Sequence, residues 1–169
     1  MLEITMASYL KYYAGLSILG DAFIAASGMR FESIFRIASS VVGISGQVAG
    51  LRGEDSKTFG IDTTKVTMGG TAGVGLFYML SAIFESHRFA EATAGALLVI
   101  GAGFFMNGRS KTGSNFFQAT TMLMFASGIE SMWRQNEIDW LILAATMCYF
   151  TGNYIASKIK PSGAGAAPS

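Results

Sequence analysis

A single carboxylate, Asp21, lies in the otherwise uncharged stretch SILGDAFIAASG at residues 17–28. An aspartate near the middle of a membrane-spanning helix costs about 2.5–3.5 kcal/mol on insertion scales, so its side chain is expected to face a bundle interior or a wet cavity. There it would accept hydrogen bonds from hydroxyls or amides such as Gln47, or bind a proton or cation. The sequence leaves three interpretations open: a transport or proton-relay group, a buried structural acceptor, and a group solvated near the interface.

Other residues with catalytic or ligand chemistry are few. The chain has one histidine, His87, in the charged segment ESHR, and one cysteine, Cys148, in a long apolar run. Haem, iron–sulfur and zinc sites need several nitrogen or sulfur ligands, which this composition does not supply. The glycine cluster GGTAGVG at residues 69–75 is not followed by Lys-Ser or Lys-Thr, so it does not match a phosphate-binding loop. We therefore expect no catalytic residue, cofactor, metal site or nucleic-acid partner, and we do not expect an enzyme.

The distribution of charge indicates the elements that would position Asp21. Charged residues make up 14% of the chain, against about 25% in typical soluble proteins. They separate uncharged stretches that are each close to the ~20 residues needed for a helix to cross a bilayer. This pattern predicts an all-α integral membrane protein with about six short transmembrane helices, at residues 12–29, 37–51, 66–84, 92–108, 114–131 and 140–157. A single transmembrane domain, residues 1–160, would be followed by a flexible tail at 161–169.

The predicted spans form three helical hairpins, each with two spans, a tight charged middle loop and a basic end. The middle loops contain GMRFES, ESHRFAE and ESMWRQNEID. They share a pattern more than identical residues, so the sequence leaves open whether the hairpins are true repeats. We interpret Glu85 with Arg88, and Glu130 with Arg134, as interfacial pairs about one helical turn apart.

Basic and aromatic residues give these spans an orientation. If both termini share one side, that side holds eight of the 12 basic residues: Lys11, Arg52, Lys57, Lys65, Arg109, Lys111, Lys158 and Lys160. The other side holds Arg30, Arg36, Arg88 and Arg134. The positive-inside rule then places both termini in the cytoplasm, in a bacterial inner membrane or an equivalent one. Aromatic residues near the predicted span ends are interpreted as interfacial anchors: Tyr12, Tyr13, Tyr149 and Tyr154 on the cytoplasmic side, Trp133 and Trp140 on the other.

Glycines at close-packing spacing mark the predicted helix contacts. The candidates are Gly46, Gly50, Gly69, Gly73, Gly95, Gly101 and Gly103. In lipid, helices associate through close backbone approach and interhelical hydrogen bonds, and small residues permit that approach. Each contact could lie within the chain or in an interface with another chain.

Two classes of function remain. The first is a non-enzymatic structural or accessory subunit of a larger membrane assembly, such as a secretion or surface machine or an energy-converting complex. Its partners would be the lipid bilayer and other membrane subunits or copies of itself. The second is a small transporter or channel for an ion or small solute that uses Asp21. Short loops and glycine-rich spans favour the first class, and the intramembrane carboxylate motivates the second.

Overall fold

A computed structural model describes the backbone of residues 6–52, 57–58 and 61–157, and the side chains of residues 11–52, 61–109, 111–133 and 136–154. The described residues form six α-helices, which confirms the all-α prediction: α1 (Met6–Arg30), α2 (Ile34–Gly50), α3 (Thr63–Ser81), α4 (Phe89–Met106), α5 (Ser110–Gln135) and α6 (Trp140–Ser157). A π-helical turn, Ala82–Ser86, extends α3, and the short antiparallel strands β1 (Lys57–Thr58) and β2 (Ile61–Asp62) precede it. The predicted tail at 161–169 lies outside the described residues.

Side-chain caps and tight turns fix where the helices begin. The Ser33 hydroxyl accepts a hydrogen bond from the Arg36 N–H at 3.2 Å and starts α2. Asp62 accepts one from the Thr64 N–H at 2.7 Å and starts α3. The turn within each hairpin contains one left-handed residue, with φ of 54° at Glu32, 52° at His87 and 56° at Asn136. The three hairpins therefore share a turn geometry that residues other than glycine seldom adopt.

The helices form a closed ring. Each helix packs against the next one in the chain, and α6 packs against α1. Neighbouring helices run antiparallel: across the seam between α2 and α3, for example, Gly46 meets Gly70 and Gly73 meets Val42. The end of the ring where α1, α3 and α5 begin is termed the terminal end. The opposite end, with the tight turns at 31–33, 87–88 and 136–139, is termed the hairpin end.

The burial pattern is inverted relative to a water-soluble bundle. Among the described residues, buried polar and charged side chains outnumber buried apolar ones. Large apolar side chains point outward: Trp133 is 88% exposed, Phe89 78% and Ile34 74%. Monomeric soluble proteins rarely expose large contiguous apolar surface, whereas a bundle surrounded by hydrocarbon has no reason to hide it.

Glycines lie at the seams of the ring where two backbones meet. A Cβ built on Gly46 would lie 2.8 Å from the Cα of Gly70, across the seam between α2 and α3. A Cβ built on Gly95 would lie 2.5 Å from the carbonyl oxygen of Gly75, across the seam between α3 and α4. Only a residue without a side chain fits at these separations, so the glycines set how closely the helices approach.

The other predicted packing glycines divide into two groups. Three of them contact side chains of an adjacent helix: Gly50 meets Thr67 and Ala14, Gly73 meets Val42, and Gly101 meets Phe117. A Cβ at Gly69 or Gly103 would have no neighbour within 4 Å. No described part of the chain packs on these two positions, so neither lies at a helix contact within the described residues.

Length and composition indicate which of the described helices could cross a membrane. Thr63–Ser86 and Phe89–Met106 are long and apolar enough to cross a bilayer, with mean hydropathy 1.4 and 1.7, and Ile34–Gly50 is a shorter apolar helix. Several helices run past the predicted span boundaries, because helix continues through polar residues whereas the spans were delimited by charge. α2 begins at Ile34, and this brings Arg36 inside the helix.

Candidate functional site

Asp21 lies inside the ring on α1 and is 3% exposed. Its Oδ1 accepts a hydrogen bond from the Tyr149 hydroxyl of α6 at 2.5 Å. Its Oδ2 lies against the backbone of Gly43 on α2, where a Cβ would overlap the oxygen. Since α6 and α2 flank α1 in the ring, three consecutive helices define the position of the carboxylate. Within the described side chains, no lysine or arginine pairs with it.

Asp21 borders a cavity on the axis of the ring. The cavity has a volume of about 40 Å³, enough for roughly two or three water molecules. Residues of all the helices line it, and most of them are polar, including Ser17, Gln47, Thr71, Thr120, Thr121 and Asn153. These residues belong to the terminal-end halves of their helices, so the cavity extends from Asp21 toward the terminal end.

Gln47 lines the same cavity from α2, so the structure brings the two predicted residues to one site. Its Nε2 donates a hydrogen bond to the Thr71 Oγ1 at 3.3 Å, while its Oε1 has no hydrogen-bond partner among the described residues. The buried Tyr78 hydroxyl beside it makes no hydrogen bond of ordinary geometry within the described part of the chain. A buried polar atom left unpaired costs about 1–3 kcal/mol, so these atoms favour a polar occupant of the cavity.

A layer of mainly apolar residues, termed the apolar layer, lies between this cavity and the hairpin end, and it includes Tyr78, whose ring lines the cavities on both sides of the layer. Ile24 lies about one helical turn beyond Asp21, and it packs with Met124 and Ile142 from α5 and α6. Beyond the layer, a smaller cavity of about 10 Å³ is bordered by Arg36 and Glu91. The axis of the ring is therefore polar, then apolar, then charged, in order from the terminal end to the hairpin end.

Four charged side chains are buried together at the hairpin end; Arg36, Arg88, Glu91 and Asp139 are termed the hairpin-end cluster. Arg36 forms a two-point contact with Glu91, with Nη2–Oε2 at 2.6 Å and Nε–Oε1 at 3.0 Å. The Asp139 carboxylate lies 3.1 Å from Arg36 Nη1 and 3.4 Å from Arg88 Nη1. Two cations and two anions balance, as charges buried away from water require.

The hairpin-end cluster joins all three hairpins. Arg36 belongs to the first hairpin, Arg88 and Glu91 to the second, and Asp139 to the third. The Ser27 hydroxyl of α1 also donates to the Asp139 carboxylate at 2.7 Å. Burial and the neighbouring Arg36 cation lower the pKa of Arg88 from its ordinary value, against the opposite effect of the two carboxylates. The cluster thus fixes the register of the hairpins at this end of the ring.

These contacts correct the sequence interpretation of two arginines. Arg36 and Arg88 are predicted on the polar far side of the spans, yet they are 1% and 0% exposed. The sequence does not predict this burial, which is possible because partner carboxylates from other hairpins replace the water that a lone arginine would need. Tyr149, interpreted as an interfacial anchor, has its hydroxyl inside the ring on Asp21.

Glu85 and Glu130, the glutamates of the two predicted interfacial pairs, cap the starts of neighbouring helices. Glu85 accepts hydrogen bonds from the Ser33 hydroxyl and from the Ile34 N–H, the latter at 3.0 Å, at the start of α2. Glu130 accepts hydrogen bonds from the N–H groups of Phe89 and Ala90, at 3.3 and 3.2 Å, at the start of α4. Unpaired N–H groups and the helix dipole make a helix start a favourable place for a carboxylate. The Arg134 side chain lies outside the described residues, so its predicted pair with Glu130 stays a prediction.

The remaining candidates for chemistry lie apart from the cavity. His87 is exposed in the turn before α4, and Cys148 is partly buried on α6. Among the described residues, no three His, Cys, Asp or Glu side chains are grouped so that they could hold a metal ion.

Comparison with known proteins gives no match: no family model, curated protein or solved structure is significantly similar to the chain. The class is therefore defined by the structure alone. It is an all-α protein whose described helices close into a ring, with an apolar outer surface, an axial polar cavity and a buried cluster of balanced charges.

Sequence reasoning finds Asp21 and Gln47 but misses the hairpin-end cluster. A signal for the cluster was present in the chain. Each hairpin has a charged residue immediately before its second predicted span, at 37–51, 92–108 and 140–157. These residues are Arg36, Glu91 and Asp139. The three hairpins are predicted to run in the same direction. Residues in that position share one depth in the bundle, so opposite charges there indicate a contact between hairpins.

Proposed function

We propose that this chain is a multi-span membrane protein that binds a small cation, a proton or metal ion, in its axial cavity and passes it as a small transporter or channel. Asp21 is the group that binds the cation. The proposal rests mainly on one observation. The buried carboxylate of Asp21 accepts a hydrogen bond from the Tyr149 phenol and borders the cavity on the axis of the ring. An ionisable residue inside a membrane bundle is costly to bury and is by default a candidate for an ion or proton pathway.

The membrane location is supported by the surface of the ring. Its outer face presents large apolar side chains, and its interior holds serines, threonines and the charged groups. This arrangement suits a hydrocarbon solvent, where polar side chains face the interior of the bundle. Backbone groups need no lipid-facing partner because they are satisfied within helices.

The proposed orientation has both termini in the cytoplasm. Basic side chains near the terminal end are exposed, including Lys11, Arg52, Lys65, Arg109 and Lys111. At the hairpin end, Arg36 and Arg88 are neutralised inside the bundle, so the difference in free basic charge between the two ends is larger than the residue counts indicate. Reporter fusions after Lys111 and Lys160 should report the cytoplasm, and fusions after Arg30 and Arg134 the opposite side. A fusion after Lys160 that reports the opposite side contradicts the orientation.

Ion flux into vesicles tests the proposed function. Purified protein in liposomes should carry a proton or alkali cation down an imposed gradient, and Asp21→Asn should abolish that flux. The amide keeps an oxygen to accept the Tyr149 hydrogen bond, so the variant is expected to fold. Asp62→Asn removes a carboxylate from an exposed helix start and serves as the matched control. Equal flux in Asp21→Asn and the parent protein, or flux no greater than in empty vesicles, contradicts the proposal.

A second candidate is a structural or accessory subunit of a larger membrane assembly. The observation that favours it is the open space outside Gly69 and Gly103, where no described helix packs. Small residues on an outer helix face allow another helix to approach closely. Purification in mild detergent followed by mass analysis distinguishes the candidates: partners in fixed ratio support the subunit, and the chain alone or in identical copies supports the transporter.

A further inference from the structure

The Asp21 site suits a proton better than a metal cation. Tyr149 already donates to Oδ1, so Oδ2 is the remaining oxygen of the carboxylate. Hard metal cations in proteins take about six or more oxygen ligands, and a cavity of about 40 Å³ does not hold a cation with a full shell of water. A proton needs one free carboxylate oxygen and one water in contact with it.

The groups that face Asp21 are compatible with a titrating carboxyl. The titratable groups around it are phenols, Tyr13 of α1, Tyr78 of α3 and Tyr149 of α6. The other helices present the uncharged side chains Gln47 from α2, Leu98 from α4, and Thr120, Thr121 and Met124 from α5. The nearest described charges, Arg36 and Glu91, neutralise each other beyond the apolar layer. Among the described residues, no fixed cation holds Asp21 in its ionised form.

Access to the carboxylate is different at the two ends of the ring. On the terminal side, Ser17 and Thr71 continue the polar lining, and such side chains support a chain of water molecules. On the hairpin side, Ile24 and Met124 belong to the apolar layer.

We propose that Asp21 takes up and releases a proton and that, in the conformation described here, it exchanges this proton with water at the terminal end of the ring. This inference rests on the proposed function and specifies its substrate. Uptake transfers a proton from a hydronium ion in the cavity to the Asp21 carboxylate, which leaves a neutral carboxyl and a water molecule. The Tyr149 O–H donates to Oδ1 before and after this step, and release is the reverse reaction.

Infrared difference spectroscopy tests both parts of the inference. The full chain is reconstituted in vesicles with one verified orientation, and the pH is changed on one face at a time. A carboxyl C=O band should appear as the pH falls at the terminal-end face and should not respond at the hairpin-end face. The band should be lost in Asp21→Asn and retained in Asp62→Asn. Tyr149→Phe should keep the titration but shift the band, because the carboxyl loses its hydrogen-bond donor.

Cysteine labelling gives a second measure of access. The chain has one cysteine, so Cys148→Ser provides a background without thiols. In that background, Ser17→Cys should react with a small water-soluble thiol reagent added at the terminal-end face. Ser127→Cys, which lies beside Arg36 beyond the apolar layer, should react at least ten-fold more slowly from that face.

The outcomes separate this inference from the proposed function. A band that responds to pH at the hairpin-end face, or equal labelling of both cysteines, overturns one-sided access. A site that responds to sodium or potassium but not to pH overturns the proton as substrate and leaves the proposed function standing. A site that responds to neither proton nor cation, with flux equal to empty vesicles, overturns both.

Discussion

The Asp21 carboxylate has its position because Gly43 has no side chain. The carboxylate Oδ2 occupies the place that a Cβ at Gly43 would take. The same oxygen is the one left free by the Tyr149 hydrogen bond to Oδ1. A glycine on α2 therefore determines where a polar atom of α1 can sit, and through it the shape of the cavity.

Replacing Gly43 and Gly69 with alanine should change stability in opposite directions. Gly43→Ala pushes the carboxylate out of place, and overpacking of this kind costs about 1–3 kcal/mol. Gly69→Ala adds a methyl group to open space in a helix, where alanine is favoured over glycine by up to about 1 kcal/mol. Thermal unfolding of the detergent-solubilised variants measures both shifts. A Gly43→Ala protein as stable as Gly69→Ala would contradict the overlap at Asp21.

At the scale of single residues, the sequence predicts part of the candidate site around Asp21. Asp21 and Gln47 can be found because each is a polar residue in an apolar stretch, and such a residue must face the interior. Tyr149 cannot be found in the same way. A tyrosine suits an interfacial belt as well as a buried hydrogen bond, and which one it adopts depends on where α6 lies relative to α1.

Helix starts are capped across the seams of the ring. Glu85, in the π-helical turn that follows α3, satisfies N–H groups at the start of α2, and Glu130 of α5 does the same for α4. In the third hairpin, Glu137 lies just before the start of α6 and forms an ion pair with Arg30 of α1. Each hairpin is thus tied to the preceding one around the ring by its own polar contact.

Removing the charge of one capping glutamate should weaken its seam. Glu85→Gln should lower the free energy of unfolding by about 1 kcal/mol, because a carboxylate at a helix start interacts with the dipole and the unpaired N–H groups. Chemical or thermal unfolding in detergent measures the loss. Glu32→Gln, at an exposed turn residue of the same type, is the matched control and should change stability by less than about 0.5 kcal/mol. Equal effects of the two substitutions would remove the capping role.

Large side chains at the seam glycines should separate the helices. Gly46→Leu places a side chain against the Gly70 backbone, and neither partner has an atom that can rotate away. Loss of folded monomer on size-exclusion chromatography is the expected result. Gly103→Leu meets open space, so it should leave the monomer folded. If Gly103→Leu changes the mass of the purified particle without unfolding it, Gly103 lies in a contact with another chain.

The sequence predicts the number and type of elements better than their ends or partners. Charge-free stretches indicate the helices, and the described residues bear out an all-α chain with matching helices. The uncharged segment predicts a start after Arg36, whereas α2 begins at Ile34 and contains that arginine. The contact that neutralises Arg36 comes from two other hairpins, and no local pattern contains that information.

At the scale of the whole molecule, the hairpin-end cluster should behave as one unit. Arg36→Met leaves Glu91 without its two-point partner, and breaking a buried pair costs about 3–5 kcal/mol. Arg36→Met combined with Glu91→Gln should cost clearly less than the sum of the two single changes, because no unpaired charge remains between them. A double-mutant cycle on unfolding in detergent measures this coupling. Additive effects would show that the two residues do not interact in the folded protein.

Because α6 closes the ring against α1, the fold also determines when during synthesis the site can form. The hydrogen bond from Tyr149 to Asp21 joins residues 128 positions apart. During synthesis Asp21 therefore remains without its phenol partner until the last helix has been made, and a chain interrupted before α6 never completes the site. A circularly permuted chain that starts at α3 and joins α6 to α1 would keep the same seams. In that chain the two residues would lie on successive helices, the fourth and fifth to be made, so Asp21 would meet its phenol partner as soon as α1 follows α6.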